Sequence, residues 1–303
     1  MNVLSLFDGI SCGQLALQRA GIKVDNYYAS EIDKYAMKIT KQRFPETIFL
    51  GDVRLLKKEM LPRIDLLIGG SPCQGFSNCG AGENFNDPRS KLFFDFLRLK
   101  REVSPKFFLL ENVKMKKEWL EIINNFMGVN PLFINSSVMS AQNRQRYYWS
   151  NIYMKRPPAD KSIFLTDIID SGVVDKEKSY CITACEARGT NPQYYFSKRK
   201  RQLIFEQKEG RFLITEDHLE KVKNIWSLLG NDPETLQQER LGEKIKIEGI
   251  SYRKLNPQEC EKLQTLPLGY TEGISNSQRY KTIGNAWTVD VLAHIFSFLK
   301  EEK

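Results

Sequence analysis

Val3-Leu4-Ser5-Leu6-Phe7-Asp8-Gly9-Ile10-Ser11-Cys12-Gly13 stands near the start of the chain. A short apolar run that ends in an acid and glycines reads as a buried strand feeding a tight turn and then a helix. Glycines at such a turn let the backbone approach a ligand closely. The stretch is not a full G-x-G-x-x-G, so the phosphate-cradling pattern of a dinucleotide site is missing.

Further strand-like segments follow at Tyr27–Ser30, Ile48–Leu50, Ile64–Ile68 and Phe107–Leu110. Between them the spacing predicts a helix over Lys34–Phe44, ended by Pro45, and another from Asp87-Pro88, with Asp87 as cap. Trp119, Ile122, Ile123 and Phe126 form the apolar stripe of a third helix. This alternation predicts an α/β fold: a doubly wound, mostly parallel, Rossmann-like sheet with helices on both faces. A smaller, irregular domain should interrupt it, giving 1–150 plus 268–303 as one unit and 151–267 as the other. Asn256-Pro257-Gln258-Glu259 reads as a capped helix start, and Val289 to Leu299 as a final amphipathic helix.

Asp8, Glu31, Asp52, Cys73 and Glu111 each fall at or just past a strand end, the first four spaced by 23, 21 and 21 residues. In open α/β sheets the ligand lies outside the carboxyl ends of the strands, so these side chains should share one crevice. Glu31 stands where a carboxylate accepts from ribose hydroxyls, and Asp52 could accept from an adenine amino group. An adenosine ligand without a pyrophosphate fits, and S-adenosylmethionine qualifies. Acids at strand ends can also simply cap helices.

Composition narrows the classes. The 303 residues carry a net charge of +8, which favours a polyanionic partner. Six irregularly spaced cysteines in a chain of this size argue for reduced thiols in the cytosol. Cys181 and Cys185 have no second cysteine pair and no histidine nearby, and with only two histidines Ser-His or Cys-His catalysis is disfavoured. No apolar run approaches a membrane span and no signal-peptide pattern precedes the first strand, so a cytoplasmic location is expected.

Gly69-Gly70-Ser71-Pro72-Cys73-Gln74-Gly75-Phe76-Ser77 carries the chemistry. A cysteine after a buried strand is usually an inert small hydrophobe. Here it precedes a Gly/Asn/Ser-rich run to Ser90 and a helix start, which suits a nucleophile. Glu111-Asn112-Val113 brings a carboxyl group to the same rim.

At these residues the sequence resembles the DNA (cytosine-5)-methyltransferase family. Phe7–Gly13 is similar to its first cofactor motif, Ser71-Pro72-Cys73-Gln74 to its nucleophile motif, and Glu111-Asn112-Val113 to its cytosine-holding motif. Gln142-Asn143-Arg144-Gln145-Arg146 resembles its Q-x-R-x-R motif. Arg253–Glu259 through Leu263–Pro267 is similar to the motif that shapes the specificity domain, and Gly284-Asn285-Ala286-Trp287 to the last cofactor motif. Trp287 stands where bacterial members carry a small aliphatic residue, a feature similar to the animal de novo branch.

The resemblance implies S-adenosylmethionine held by Phe7, Asp8, Gly9 and Ile10, by Glu31, Ile32, Asp52 and Val53, and by Pro72, Leu92, Asn285, Ala286 and Trp287. It implies Cys73 as nucleophile, with Glu111, Arg144 and Arg146 completing the catalytic set. The partner it implies is double-stranded DNA, with Gln74 and Ser77 contacting it as a cytosine leaves the stack. It also leaves room for a cognate restriction endonuclease.

Segment 188–201 carries five cations, no acids and three adjacent aromatics. Such a run is often a solvated face. Inside the expected recognition domain, Arg188, Lys198, Arg199, Lys200 and Arg201 become candidates for DNA contact. The alternative substrate is tRNA, since tRNA cytosine methyltransferases share these motifs. The roughly 100-residue insert between Arg146 and Arg253 and the lack of a Cys-Phe-Thr signature favour DNA. A non-catalytic DNA-binding paralogue would not be expected to keep Cys73, Glu111, Arg144 and Arg146 together.

Overall fold

Five short apolar strands pair in parallel because helices, not hairpins, connect most of them. In the computed structural model they are β1 (Asn2–Leu6), β2 (Asn26–Ser30), β3 (Ile48–Phe49), β4 (Leu66–Gly69) and β5 (Phe107–Val113). Two antiparallel strands, β6 (Leu132–Asn135) and β7 (Gln145–Ser150), complete a seven-stranded sheet in the order β3-β2-β1-β4-β5-β7-β6. The structure describes residues 1–71, 91–190, 194–195, 201–208, 211–212 and 251–300. Pro72, Cys73, Gln74, Ser77, Lys198, Arg199, Lys200 and the helix start expected at Asp87 lie outside the described residues.

Helices α1 (Cys12–Arg19), α2 (Lys34–Arg43), α3 (Lys91–Val103) and α4 (Lys117–Met127) follow strands β1, β2, β4 and β5. The chain ends in α5 (Pro257–Leu263), α6 (Asn276–Asn285) and α7 (Val289–Ser297). One core packs Leu15 and Leu17 of α1 and Leu292 and Ile295 of α7 against one sheet face. A second packs Phe93 and Phe96 of α3 and Ile123 of α4 against the other. The α/β, mostly parallel, doubly covered architecture is the one expected.

Local rules account for the helix ends. Asp33 caps α2 by accepting from the backbone N–H groups of Tyr35 and Ala36, and Gly128 ends α4 at φ 73°. At α5 the expected box is present: Asn256 accepts from Glu259 N at 2.8 Å, and Glu259 accepts from Asn256 N at 2.7 Å. A small antiparallel sheet, β10 (Ser251–Lys254) with β8 (Leu203–Lys208) and β9 (Arg211–Phe212), lies in the intervening region. A third core joins Leu165, Ile182, Ile204 and Leu255 there to Ala141, Tyr280 and Ile283. Packing therefore runs across both boundaries expected between the two units. Among the described residues no helix is long and apolar enough to cross a membrane.

The strand order reverses direction at β1, with β2 on one side and β4 on the other. The turn after β1 is correspondingly tight: Phe7, Gly9 and Ser11 all have φ near +60°. Asp8 holds this turn from inside. It is buried and accepts from the hydroxyls of Ser11 and Tyr27. Burial pushes its carboxyl up to about 6. A raised carboxyl binds its proton in the folded state first, so its contribution is full below the unfolded value of 3.8 and is lost as pH rises through 6. We expect the stability gained by Asp8→Asn, relative to wild type, to grow by about 2 kcal/mol between pH 4.5 and 7.5. Urea unfolding at the two pH values measures it, and a pH-independent difference would contradict the buried charge.

Candidate active site

The expected cofactor edge is built by three successive turns. Glu31, just past β2, ties two of them together: one oxygen accepts from Gly9 N at 2.8 Å, and the other from Ile32 N and Asp33 N at 2.7 Å each. Beside it Ile32 is 70% exposed, an apolar surface next to an ordered carboxylate. A Cβ added at Gly9 or at Gly51 would meet nothing within 4 Å, so space stands open above both turns. Open space, a carboxylate with further acceptor capacity and an exposed apolar side chain fit an adenosine group.

The other expected cofactor residues divide. Asp8 lies beneath the turn as a strut, not in the crevice, because its oxygens face Ser11 and Tyr27. Asp52 accepts from the backbone N–H and guanidinium of Arg54, which holds its carboxyl below the usual range. Ile10 and Val53 are buried, Phe7 and Leu92 are half-buried, and Asn285 is exposed at the end of α6. Ala286 presents its carbonyl to Arg144 and Gln264.

The expected reaction edge centres on Glu111 of β5, which is buried. Antiparallel pairing places Tyr148 opposite Glu111, and Arg146, two residues along β7, shares that face. Arg146 Nε sits 2.7 Å from Glu111 Oε1. Trp287 Nε1 donates to Oε2 over 3.1 Å. Asn112, the neighbour of Glu111, donates to Ser71 Oγ at 3.2 Å and so fastens β5 to the residue two before Cys73. Sequence reasoning assigns Asn112 no role, although its adjacency to Glu111 in the motif is the available signal.

Arg144 departs from the expected catalytic pair. It is 4% exposed and turns to the carbonyls of Ile182 at 3.1 Å and Ala286 at 2.8 Å. Its donors thereby join the start of β7 to Ile182 and Ala286. Cys181, another residue to which sequence reasoning gives no such part, accepts through sulfur from Arg144 at 3.3 Å and Arg146 at 3.8 Å. Gln142 is fully buried against Leu263 and Gln264. Both Cys12 and Cys260 are buried in a core, and burial pushes the thiol of Cys12 up to about 12 and that of Cys260 well above its usual value, which disfavours the thiolate.

In the intervening region, Arg188, Gly189, Thr190, Tyr252, Arg253 and Lys254 line a cleft. Arg253 is fixed by the buried Glu259 at 2.8 Å, and Lys254 by the Ala187 carbonyl at 2.8 Å. Arg188 is exposed, whereas Arg201 donates to the Gly189 carbonyl at 2.9 Å. Tyr195, which the sequence places in an aromatic contact stretch, is 1% exposed and packs against Phe205. Its hydroxyl bonds Asp175 at 2.6 Å, so it belongs to a core.

Comparison with known proteins shows the family. The family model of the C-5 cytosine-specific DNA methylases matches residues 1–301. Type II methyltransferase M.HhaI of Haemophilus parahaemolyticus is 30% identical over 97% of this chain and 93% of its own length. Orphan methyltransferase M.SPRI of Bacillus phage SPR is 31% identical over 85% of this chain, which spans 59% of that relative. Among solved structures, a DNMT2 mutant of Spodoptera frugiperda overlays with a TM-score of 0.68 at 20% identity, covering 99% of each chain. The chain therefore belongs to the C-5 cytosine-specific DNA methylase family, whose members use S-adenosylmethionine.

Proposed function

We propose that the chain methylates C5 of a cytosine drawn out of a nucleic acid, with Cys73 as the covalent nucleophile. The observation that carries this reading is the buried Glu111 carboxylate paired with Arg146, on a strand that Asn112 fastens two residues before Cys73.

Cytosine C5 is a poor nucleophile, and addition of the Cys73 thiolate at C6 supplies the missing electron density. Glu111 holds the N3/N4 edge of the ring while charge builds there, and Arg146 supplies the opposite charge beside that carboxylate. S-adenosylmethionine, when bound, supplies the methyl group. Glu31 and Ile32, with the open turn at Gly9, are the residues that would hold its adenosine end. Loss of the C5 proton then lets the Cys73–C6 bond break, restoring the aromatic ring and the thiolate.

Duplex DNA is the polymer the sequence points to, in part because of its insert between Arg146 and Arg253. The overlay on a DNMT2 chain, which covers 99% of both chains, weighs against that argument. It also supports the second reading, a cytosine of tRNA. The family description and the Type II relative support duplex DNA. We assign residues 151–267 to target recognition in either case, with Arg188 and the basic run to Arg201 as its charged contact.

Tritiated methyl transfer to duplex DNA and to tRNA, run side by side, decides the polymer. Cys73→Ser should abolish transfer to whichever is the substrate while leaving its binding largely intact. Wild type should form a denaturation-resistant adduct with the 5-fluorocytosine form, because fluorine blocks the last step. Normal turnover by the Ser variant would sink the covalent mechanism.

Calorimetry should find Glu31→Ala weaker for S-adenosylmethionine by about 1.5–3 kcal/mol, the value of a charge-assisted hydrogen bond. Asp52→Ala should weaken it less, because Arg54 already occupies that carboxylate. Unchanged affinity in the Glu31 variant would place the cofactor elsewhere.

Neutralising Lys198, Arg199 and Lys200 together with Arg188 should weaken binding on all sequences. It should also flatten the salt dependence by up to about 0.9 for each phosphate no longer neutralised on duplex DNA, or about 0.7 on a single strand. A wild-type salt slope in that variant would make the stretch a solvated face.

A further inference from the structure

Trp287 occupies a slot that two glycines leave open. A Cβ added at Gly70 would stand 2.7 Å from its Nε1, and one added at Gly13 would stand 3.3 Å from its Cζ3. Gly13 lies in the first turn of α1, and Gly70 immediately follows β4 on the way to Cys73. The indole is thus wedged between the cofactor turn and the approach to the nucleophile, and it is 7% exposed. A buried indole N–H needs an acceptor. Here the acceptor is Oε2 of Glu111, at 3.1 Å.

The two oxygens of Glu111 are consequently unlike. Oε2 has its donor in Trp287, whereas Oε1 is buried and has no hydrogen-bond donor among the described residues. Arg146 Nε lies 2.7 Å from Oε1 as an ion-pair contact. The last torsion of a glutamate is broad, so without a second anchor the carboxylate plane is free to turn.

We propose that Trp287 is a positioning residue for methyl transfer: its N–H pins Oε2 of Glu111, so that Oε1 is the oxygen offered to the cytosine N3/N4 edge. The proposal rests on the reading of Glu111 as the base-holding acid. It gives Trp287 a second duty beside walling the cofactor crevice, because one rigid ring touches both edges. It also explains why a bulky residue is tolerated there, since Gly13 and Gly70 supply its room.

The test uses the full chain carrying Trp287→Phe, which keeps an aromatic ring and removes the donor. Three quantities are read: adduct formation with 5-fluorocytosine in whichever of duplex DNA or tRNA the wild type methylates, kcat, and KM for S-adenosylmethionine. Losing a hydrogen bond to a charged group should slow adduct formation and lower kcat roughly tenfold to a hundredfold, with KM within about threefold. A raised KM with unchanged adduct rate would make Trp287 a cofactor wall only and overturn the proposal. Should Trp287→Phe lose its fold on thermal denaturation, 3-benzothienylalanine at position 287 keeps the indole's shape without the N–H. A slowed adduct with that isostere supports the role, and a wild-type rate overturns it. A wild type that forms no adduct on either polymer removes the reading of the site itself, and the positioning role with it.

Discussion

The carboxylate of Glu111 is a charge buried beside a sheet, and the arrangement of the reaction edge follows from the need to compensate it. An unpaired buried carboxylate costs several kcal/mol, enough to cancel much of a domain's net stability. Arg146 supplies the opposite charge, and it reaches Oε1 because β7 runs antiparallel to β5 in a register that sets Val113 opposite Arg146 and Glu111 opposite Tyr148. A one-residue slip would turn Arg146 to the other face. That register is held from outside the sheet. Gln142 and Arg144, just ahead of β7, bond to Leu263, Ile182 and Ala286, so the strand cannot slide without breaking buried hydrogen bonds. One ion pair therefore depends on contacts reaching more than a hundred residues along the chain.

At the cofactor edge the same economy of carboxylates appears with the roles divided. Glu31 accepts three backbone N–H groups from two turns, which fixes the separation of those turns. Order established beforehand lowers the entropy that binding has to overcome. Asp8 performs the complementary task from beneath, where the hydroxyls of Ser11 and Tyr27 reach it and water does not. Two acids that look equivalent in the sequence thus differ because one strand end opens toward solvent and the other toward the core.

The parallel strands, the capped helices and the position of Glu111 are legible in the sequence because each has a local cause: an apolar run, a cap residue, a strand end. What is not legible depends on side-chain direction across distant segments. Arg144 and Arg146 are separated by one residue and look interchangeable, yet one meets the carbonyls of Ile182 and Ala286 and the other meets Glu111. Tyr195 sits in a basic, aromatic stretch that suggests a surface, but Asp175 and Phe205 give its ring and hydroxyl a buried place. The bond between Trp287 and Glu111 spans 176 residues and has no periodicity to announce it. Only the motif neighbourhood of each residue hints that the two share a crevice.

On the proposed reading, charge alone would not select the polymer that enters this crevice. A net charge of +8 attracts phosphates, and duplex DNA and tRNA both present them. Arg253 is committed to Glu259 and Lys254 to the Ala187 carbonyl, so in the cleft they shape the wall more than they choose a sequence. Discrimination must come from groups that sense either a base edge in a major groove or a 2′-hydroxyl on a sugar. On the reading proposed above, a flipped cytosine would present the same N3/N4 edge to Glu111 in both polymers, so the edge around Glu111 would not distinguish them. Selection would then fall to the region between β7 and α5, and the chemistry to the sheet.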